Sequence, residues 1–133
     1  MTTTPLVGTA EDAVMIIHEL NLQTRDKYAI TEPAELARLL ASLTALAAGL
    51  PQLLGQLDRW LTRQHAHQQL HAVGDRATSH LVEAIGRDLS QAARIAHDLT
   101  TILDSTHQNA ADLSAPPALK DRSTTHQGVN FHP

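Results

Sequence analysis

Three histidines lie within seven positions of one another, and their type and spacing suggest a metal site. His67 and His71 are four positions apart, so on a helix they would share a face, and His65 would supply a third nitrogen. The His-Glu-x-x-His zinc motif has the same spacing, but Gln68 stands here in place of the Glu and cannot act as a general base. We favour a polar, solvated helix end and keep a metal site at His65, His67 and His71 as the alternative.

No other group of side chains in the sequence has the pattern of a catalytic site. Asp104 and His107 have the spacing of a di-iron bundle pair, but such a site needs the pair twice, with further inward carboxylates. Ser79, His80 and Glu83 occupy neighbouring helical positions that do not converge on one point. We therefore predict that the protein is not an enzyme and needs no cofactor.

The charge and the composition exclude several classes of function. The formal net charge is -4, so the chain lacks the basic excess with which nucleic-acid binders hold phosphates. The absence of Cys rules out disulfides and Cys-ligated metals. Residues 1–8 lack the basic start and the apolar run of a secretory signal, so we expect a cytoplasmic protein. The preference for Arg over Lys, with abundant Ala and Leu, is typical of a GC-rich bacterial genome.

A short helix is predicted near the N-terminus. Thr9 followed by Asp12 resembles a capping box, and apolar residues then recur at helical spacing. This pattern predicts a helix over residues 10–23, preceded by a flexible segment over residues 1–8.

A connection without any periodicity follows over residues 24–32. It contains Tyr28 and Ile30, which we expect to pack against the core. Thr31 is a typical N-cap and Pro33 is typical of a first helical turn, so a second helix is predicted to begin here.

The longest apolar pattern runs from Leu36 to Leu61 with alternating spacings of four and three residues, as in coiled coils and helical bundles. After a polar stretch that ends near Gly74, a second pattern with this spacing predicts another helix over residues 76–111. The residues that we expect to form the core and the interaction surface are Leu36, Leu40, Leu43, Leu50, Leu54, Leu57, Trp60, Leu61, Ile85, Leu89, Leu99 and Leu103.

The segment Gly49-Leu50-Pro51 interrupts the first of these patterns and allows either a kink or a turn. Because the heptad phase continues beyond it and Leu50 would be a poor N-cap, we favour a kinked but continuous helix. Residues 39–57 carry no charge and approach the length of a membrane span. Four polar side chains interrupt this run, so we do not expect it to cross a membrane.

These patterns predict an all-α fold: a helical bundle or a long antiparallel helical hairpin, with one short N-terminal helix and two or three longer helices. We expect one domain over residues 9–113. Residues 114–133 are predicted to be a disordered tail, because their Pro-containing polar composition cannot repay the cost of ordering. A long hairpin would leave apolar surface exposed, so we expect a homodimer or another homo-oligomer.

In size and helical content the chain resembles the small helical-hairpin substrates of type VII secretion. That family carries a Trp-x-Gly turn between its two helices, whereas Trp60 is followed here by Leu61 and Thr62. The resemblance is therefore confined to size and helical content, and it assigns neither a family nor a functional residue.

The sequence as a whole predicts a non-catalytic helical protein-protein interaction module that self-associates through Leu-rich heptad faces. Such a module would act as an adaptor, a regulator or an assembly subunit, with room for a further protein partner. The alternatives are a metal-binding module built on the His cluster and a small dimeric DNA-associated regulator. Neither nucleic acid nor a membrane is an expected partner.

Overall fold

The computed structural model describes residues 4–114, and these residues form three α-helices and no strand. Helix α1 spans Pro5–Gln23, α2 spans Pro33–Ala66 and α3 spans Thr78–Ala111. The predicted all-helical fold is therefore confirmed. Apart from Ser114, the predicted disordered tail lies outside the described residues.

Contacts within the chain define two units. Among the described residues, the first unit comprises residues 4–36 and the second comprises Ala37–Leu113. The first contains α1 and the first turn of α2, and the second contains the rest of α2, the next connection and α3. The single domain expected over residues 9–113 stays a prediction.

Helix α1 begins five residues before the predicted start, and its cap is Thr4. The Thr4 hydroxyl accepts a hydrogen bond from the Val7 amide at 3.2 Å, and Pro5 follows as the first helical residue. The hydroxyl of Thr9, the predicted cap, instead donates to the Pro5 carbonyl at 2.9 Å. Residues 5–8 therefore belong to the helix, while the predicted end at Gln23 is confirmed.

Short-range hydrogen bonds hold the connection between α1 and α2. The Thr24 hydroxyl donates to the Leu20 carbonyl, and the Asp26 carboxylate accepts from the Tyr28 amide, each at 2.9 Å. Tyr28 and Ile30 are 71% and 41% exposed. The prediction that they pack against the core is wrong, because this segment satisfies its backbone locally and its side chains stay at the surface.

Helix α2 begins at Pro33 and continues through Pro51 to Ala66. At its start the Thr31 hydroxyl donates to the Glu35 carboxylate. The prediction of one continuous helix across Pro51 is confirmed, so the chain does not turn at this proline.

The end of α2 is a Schellman motif with a glutamine in the left-handed position. The Gln69 amide bonds to the Gln64 carbonyl at 2.9 Å, the Gln68 amide bonds to the His65 carbonyl at 3.0 Å, and Gln68 has a φ of 56°. The helix therefore ends before the predicted limit near Gly74. Glycine is the usual residue at this position because it has no Cβ to strain the backbone.

Replacing Gln68 with Gly should raise the free energy of unfolding by about 1 kcal/mol, because the left-handed conformation costs about that much for a residue with a Cβ. Urea denaturation followed by circular dichroism measures the change. Gln69→Gly is the matched control: Gln69 lacks a positive φ, so added flexibility should lower its stability or leave it unchanged. A Gln68→Gly protein no more stable than the parent would contradict the assignment of strain.

Helix α3 begins without a side-chain cap. Ala77 occupies the N-cap position with φ -63° and ψ 140°, and its methyl group cannot accept a hydrogen bond. The hydroxyl of the next residue, Thr78, accepts instead from the Ala72 amide at 3.0 Å, which ties the connection to the helix start. The helix begins two residues after the predicted start at Arg76, and its predicted end at Ala111 is confirmed.

Replacing Ala77 with Ser should stabilise the fold by about 1 kcal/mol, because a serine hydroxyl can accept from a free amide in the first turn of α3. Thermal unfolding of Ala77→Ser against the parent tests this. Ser79→Ala, an exposed change two positions later, should leave the melting temperature nearly unchanged. Equal melting temperatures for Ala77→Ser and the parent would argue against an uncapped helix start.

Helices α2 and α3 pack against each other as an antiparallel hairpin. A Cβ built on Gly86 would lie 3.2 Å from the Asp58 carboxylate oxygen, so these two positions are at the same level. Asp58 lies eight residues before the end of α2, and Gly86 lies eight residues after the start of α3. The helices therefore run in opposite directions, and each is about 50 Å long at 1.5 Å per residue.

Leucines and small side chains share the contact between α2 and α3. Ala47 and Leu61 of α2 and Ala96 and Ala110 of α3 are the most buried residues of the described chain, between 2% and 8% exposed. On α3, half-buried residues seven positions apart flank this row: Gly86, Ala93, Thr100 and His107. Residues of this size let two helix backbones approach closely.

Candidate interaction surface

A row of large apolar side chains on α2 remains exposed beside the contact with α3. Its members are Leu46, Leu53, Leu57 and Trp60, between 42% and 51% exposed. Three of them, spaced seven residues apart, repeat the heptad of the buried row one position earlier. The hairpin contact therefore uses only part of the apolar surface of α2.

Helix α3 carries a matching exposed row. Its members are Ile85, Ile95, Leu99 and Ile102, between 43% and 63% exposed. Branched apolar side chains alternate here at three- and four-residue spacing from Ile95 to Ile102. The opposite stripe of α3 is also apolar, because half-buried Leu89 and Leu103 share the heptad of buried Ala96.

Both exposed rows lie on the same face of the hairpin. Leu46 comes one position before buried Ala47, and Ile95 comes one position before buried Ala96. One residue corresponds to a rotation of about 100°, so each row is about a quarter turn from the contact, in the same sense along its helix. Because the helices are antiparallel, equal rotations bring both rows to one side. We call this surface, formed by the eight exposed residues of the two rows, the outer apolar face.

Two polar residues and a glycine interrupt the outer apolar face at regular positions. Gln56 and Asp88, both exposed, lie beside the rows of α2 and α3 respectively. Gly49 lies one heptad before Gln56, and within the described chain no side chain or neighbouring element comes within 4 Å of a Cβ built on it. A glycine inside an exposed helix costs about 1 kcal/mol relative to alanine, and the hairpin alone does not compensate this cost.

The residues predicted to form the core and the interaction surface separate into three groups in the structure. Leu61 is buried. Seven are half-buried: Leu36, Leu40, Leu43, Leu50, Leu54, Leu89 and Leu103. The remaining four, Leu57, Trp60, Ile85 and Leu99, belong to the outer apolar face. Trp60 is 50% exposed, so it is not part of a buried core within the hairpin.

Residues missing from that set contribute much of the hairpin contact. Ala47, Ala96 and Ala110 are nearly inaccessible, and Gly86 lies against Asp58. The signal of the three alanines in the sequence is their spacing of seven from leucines: Ala47 precedes Leu54, and Ala96 and Ala110 flank Leu103.

The three clustered histidines are not brought together on one helix face. His65 is half-buried in the last turn of α2, whereas His67 and His71 are exposed beyond the helix end. The expected face shared by His67 and His71 is wrong, because the left-handed Gln68 reverses the chain between them. Within residues 4–114, no group of three or more His, Cys, Asp or Glu side chains has an arrangement able to hold a metal ion.

The other polar groups singled out in the sequence are also separated. The Asp104 carboxylate accepts a hydrogen bond from the Gln108 side-chain amide at 3.0 Å, while His107 is half-buried in the column that flanks the α2 contact. Ser79, His80 and Glu83 are exposed.

Helix α1, in the first unit, also exposes apolar side chains. It has no buried residue, and Leu6, Val14, Met15 and Ile16 are more than half exposed. All its charged side chains are acidic, since Glu11, Asp12 and Glu19 lie within it and no Lys or Arg does.

Helix α2 is long enough and apolar enough to cross a membrane by length and composition alone. Its most apolar window has a mean hydropathy of 1.3, and 6% of that window is buried. A helix that belongs to the core of an assembly meets the same two criteria, so this property is weak evidence for a membrane span.

Comparison with known proteins found no matching family model, no matching curated protein and no matching solved structure.

Proposed function

We propose that this chain is a non-catalytic helical interaction protein that self-associates through its outer apolar face. Two hairpins would join face to face into a four-helix bundle, the usual way in which a two-helix hairpin covers its second apolar side. One observation carries this proposal: the exposed apolar rows of α2 and α3 lie on the same side of the hairpin.

The amount of exposed apolar surface is sufficient for a stable dimer. Complete burial of a Leu or Ile side chain contributes about 1.5 to 3 kcal/mol, so covering eight half-exposed side chains contributes on the order of 10 kcal/mol for each protomer. Association costs about 4 to 15 kcal/mol in lost freedom of motion. The free energy gained by burial on the two protomers together therefore exceeds the cost of association. Contiguous apolar surfaces of this kind mark interaction sites on soluble proteins.

Light scattering coupled to size-exclusion chromatography tests the proposal directly. The full chain has a mass of 14.4 kDa, so a dimer is expected at about twice that mass at tens of micromolar. A particle that stays at the monomer mass across the accessible concentrations would refute self-association.

The single tryptophan provides an independent measurement. Trp60 is the only Trp of the chain and is half exposed in the hairpin. Dimerisation would cover it, so its fluorescence emission should shift to longer wavelength on dilution below the dissociation constant. An emission maximum that does not change with concentration, in a sample shown to dissociate, would place Trp60 outside the interface.

The biological role that we propose for such a dimer is that of a cytoplasmic adaptor, regulator or assembly subunit. A dimer that uses the outer apolar face leaves the charged sides of α2 and α3 for further partners. Of the two alternative functions, metal binding has no group of three or more His, Cys, Asp or Glu side chains to support it among residues 4–114, and DNA association stays a prediction of the sequence alone.

A further inference from the structure

The symmetry of the dimer follows from the positions of the residues on the outer apolar face, and this inference rests on the proposed self-association. Two hairpins can join face to face around a two-fold axis in two ways. An axis parallel to the helices places α2 of one protomer against α3 of its partner. A perpendicular axis places α2 against α2 and α3 against α3.

A parallel axis fixes which residues meet, because it keeps every residue at its own level along the bundle. With Asp58 and Gly86 at one level, Leu46 is twelve residues from Asp58 and Leu99 is thirteen residues from Gly86. The two side chains would therefore lie within one residue, about 1.5 Å, of the same level. The same holds for Leu53 with the partner's Ala92 and for Trp60 with the partner's Ile85.

The residues that interrupt the outer apolar face also lie level with suitable residues of the partner. Gln56 is two residues from Asp58, and Asp88 is two residues from Gly86, so each would meet the other across the interface. A glutamine amide can donate a hydrogen bond to a carboxylate, which satisfies both polar groups. Gly49 and Ile95 are each nine residues from the reference level. The missing side chain of Gly49 would then make room for the partner's Ile95, which accounts for a glycine inside an exposed helix.

The perpendicular axis gives a poorer match in two registers. With the axis at the middle of the face, Gln56 meets the partner's Leu43 and Asp88 meets apolar residues near the partner's Ile102. Gln56 and Asp88 of one protomer lie at the same level of the hairpin. Moving the axis to that level therefore brings Asp88 opposite the partner's Asp88. Like charges directly opposed destabilise an interface.

We propose that two copies of this chain dimerise around a two-fold axis parallel to their helices, with α2 of each packed on α3 of the other and Gln56 paired with the partner's Asp88. The polar pair gives the interface a unique register, as a single polar residue does in a coiled coil.

Cross-linking of single-cysteine variants tests this arrangement, since the chain has no Cys of its own. Gln56→Cys and Asp88→Cys proteins are prepared separately, mixed, allowed to exchange subunits and treated with a short bismaleimide. The mixture should give a covalent dimer, whereas each variant alone should give little, because α2 and its copy lie diagonally across the bundle. Both residues are exposed, so the hairpin should fold normally, which circular dichroism verifies.

The matched control is Ser90→Cys, an exposed change two residues from Asp88 that lies away from the outer apolar face. Its mixture with Gln56→Cys should not cross-link. A dimer by light scattering that fails to cross-link in the Gln56 and Asp88 mixture would overturn the arrangement alone, as would efficient self-linking of Gln56→Cys. A monomer by light scattering would instead overturn the proposed function, so the two failures are distinguishable.

Discussion

Replacing Leu53 and Ile95 together with Asp is expected to weaken the dimer at least about 1000-fold while the hairpin stays helical. Both side chains are about half exposed in the hairpin, so a charge at either position keeps much of its hydration in the monomer. In the dimer the same carboxylates would be buried without partners, and each would cost several kcal/mol. A thousandfold loss of affinity corresponds to about 4 kcal/mol, well within that penalty.

Sedimentation or light scattering over a dilution series measures this change, and circular dichroism measures the helix content. Gln52→Asp with Ser90→Asp is the matched control, since it adds the same two charges at exposed positions of the same helices outside the outer apolar face. The control should remain dimeric. If the Leu53 and Ile95 variant dimerises as tightly as the control, the outer apolar face is not the interface.

The main elements of the fold follow from the sequence because they depend on long, regular patterns. The heptad from Leu36 to Leu61 keeps its phase across Pro51, and α2 is continuous there. The polar stretch after Leu61 correctly separates α2 from α3, and the end of α3 at Ala111 agrees with the loss of apolar spacing. In each case several residues give the same signal, so one unusual residue does not change the result.

The orientation of the two helices about their own axes could not be predicted in the same way. On α3 both the row containing Ile95 and Ile102 and the column of Gly86 and Ala93 repeat every seven residues, so periodicity does not say which faces α2. The structure buries Ala96, with Leu89 and Leu103 half-buried one heptad on either side of it, and leaves Ile95 and Ile102 exposed. Both sides of α3 carry large apolar residues, so hydrophobicity alone does not choose between them, and the proposed dimer would bury both.

The end of α2 and the fate of the histidine cluster depend on one residue in an unusual conformation. Left-handed residues are most often glycine or asparagine, and Gln68 gives no such signal. The sequence therefore suggested a helical face shared by His67 and His71, and that expectation fails. The positions of side chains beyond a helix end depend on single backbone angles, which residue periodicity does not encode.

Replacing Leu61 with Asp is expected to unfold the hairpin, and this is the second large effect. Leu61 is 8% exposed and is the only large side chain among the four most buried residues of the described chain, the other three being alanines. Loss of its packing alone costs about 2 to 5 kcal/mol, and an unpaired carboxylate in its place adds several more. A domain is stable by only about 5 to 15 kcal/mol, so little helix should remain at room temperature.

Circular dichroism and urea titration of Leu61→Asp measure this loss, and Thr62→Asp supplies the matched control, because it places the same charge one position later on an exposed part of α2. The control should unfold at nearly the parental urea concentration. Leu61→Ala should retain the fold with a lower midpoint, which separates the loss of packing from the burial of charge. A Leu61→Asp protein with parental helix content would show that contact between α2 and α3 does not hold the hairpin together, since no other large side chain of that contact is buried as deeply.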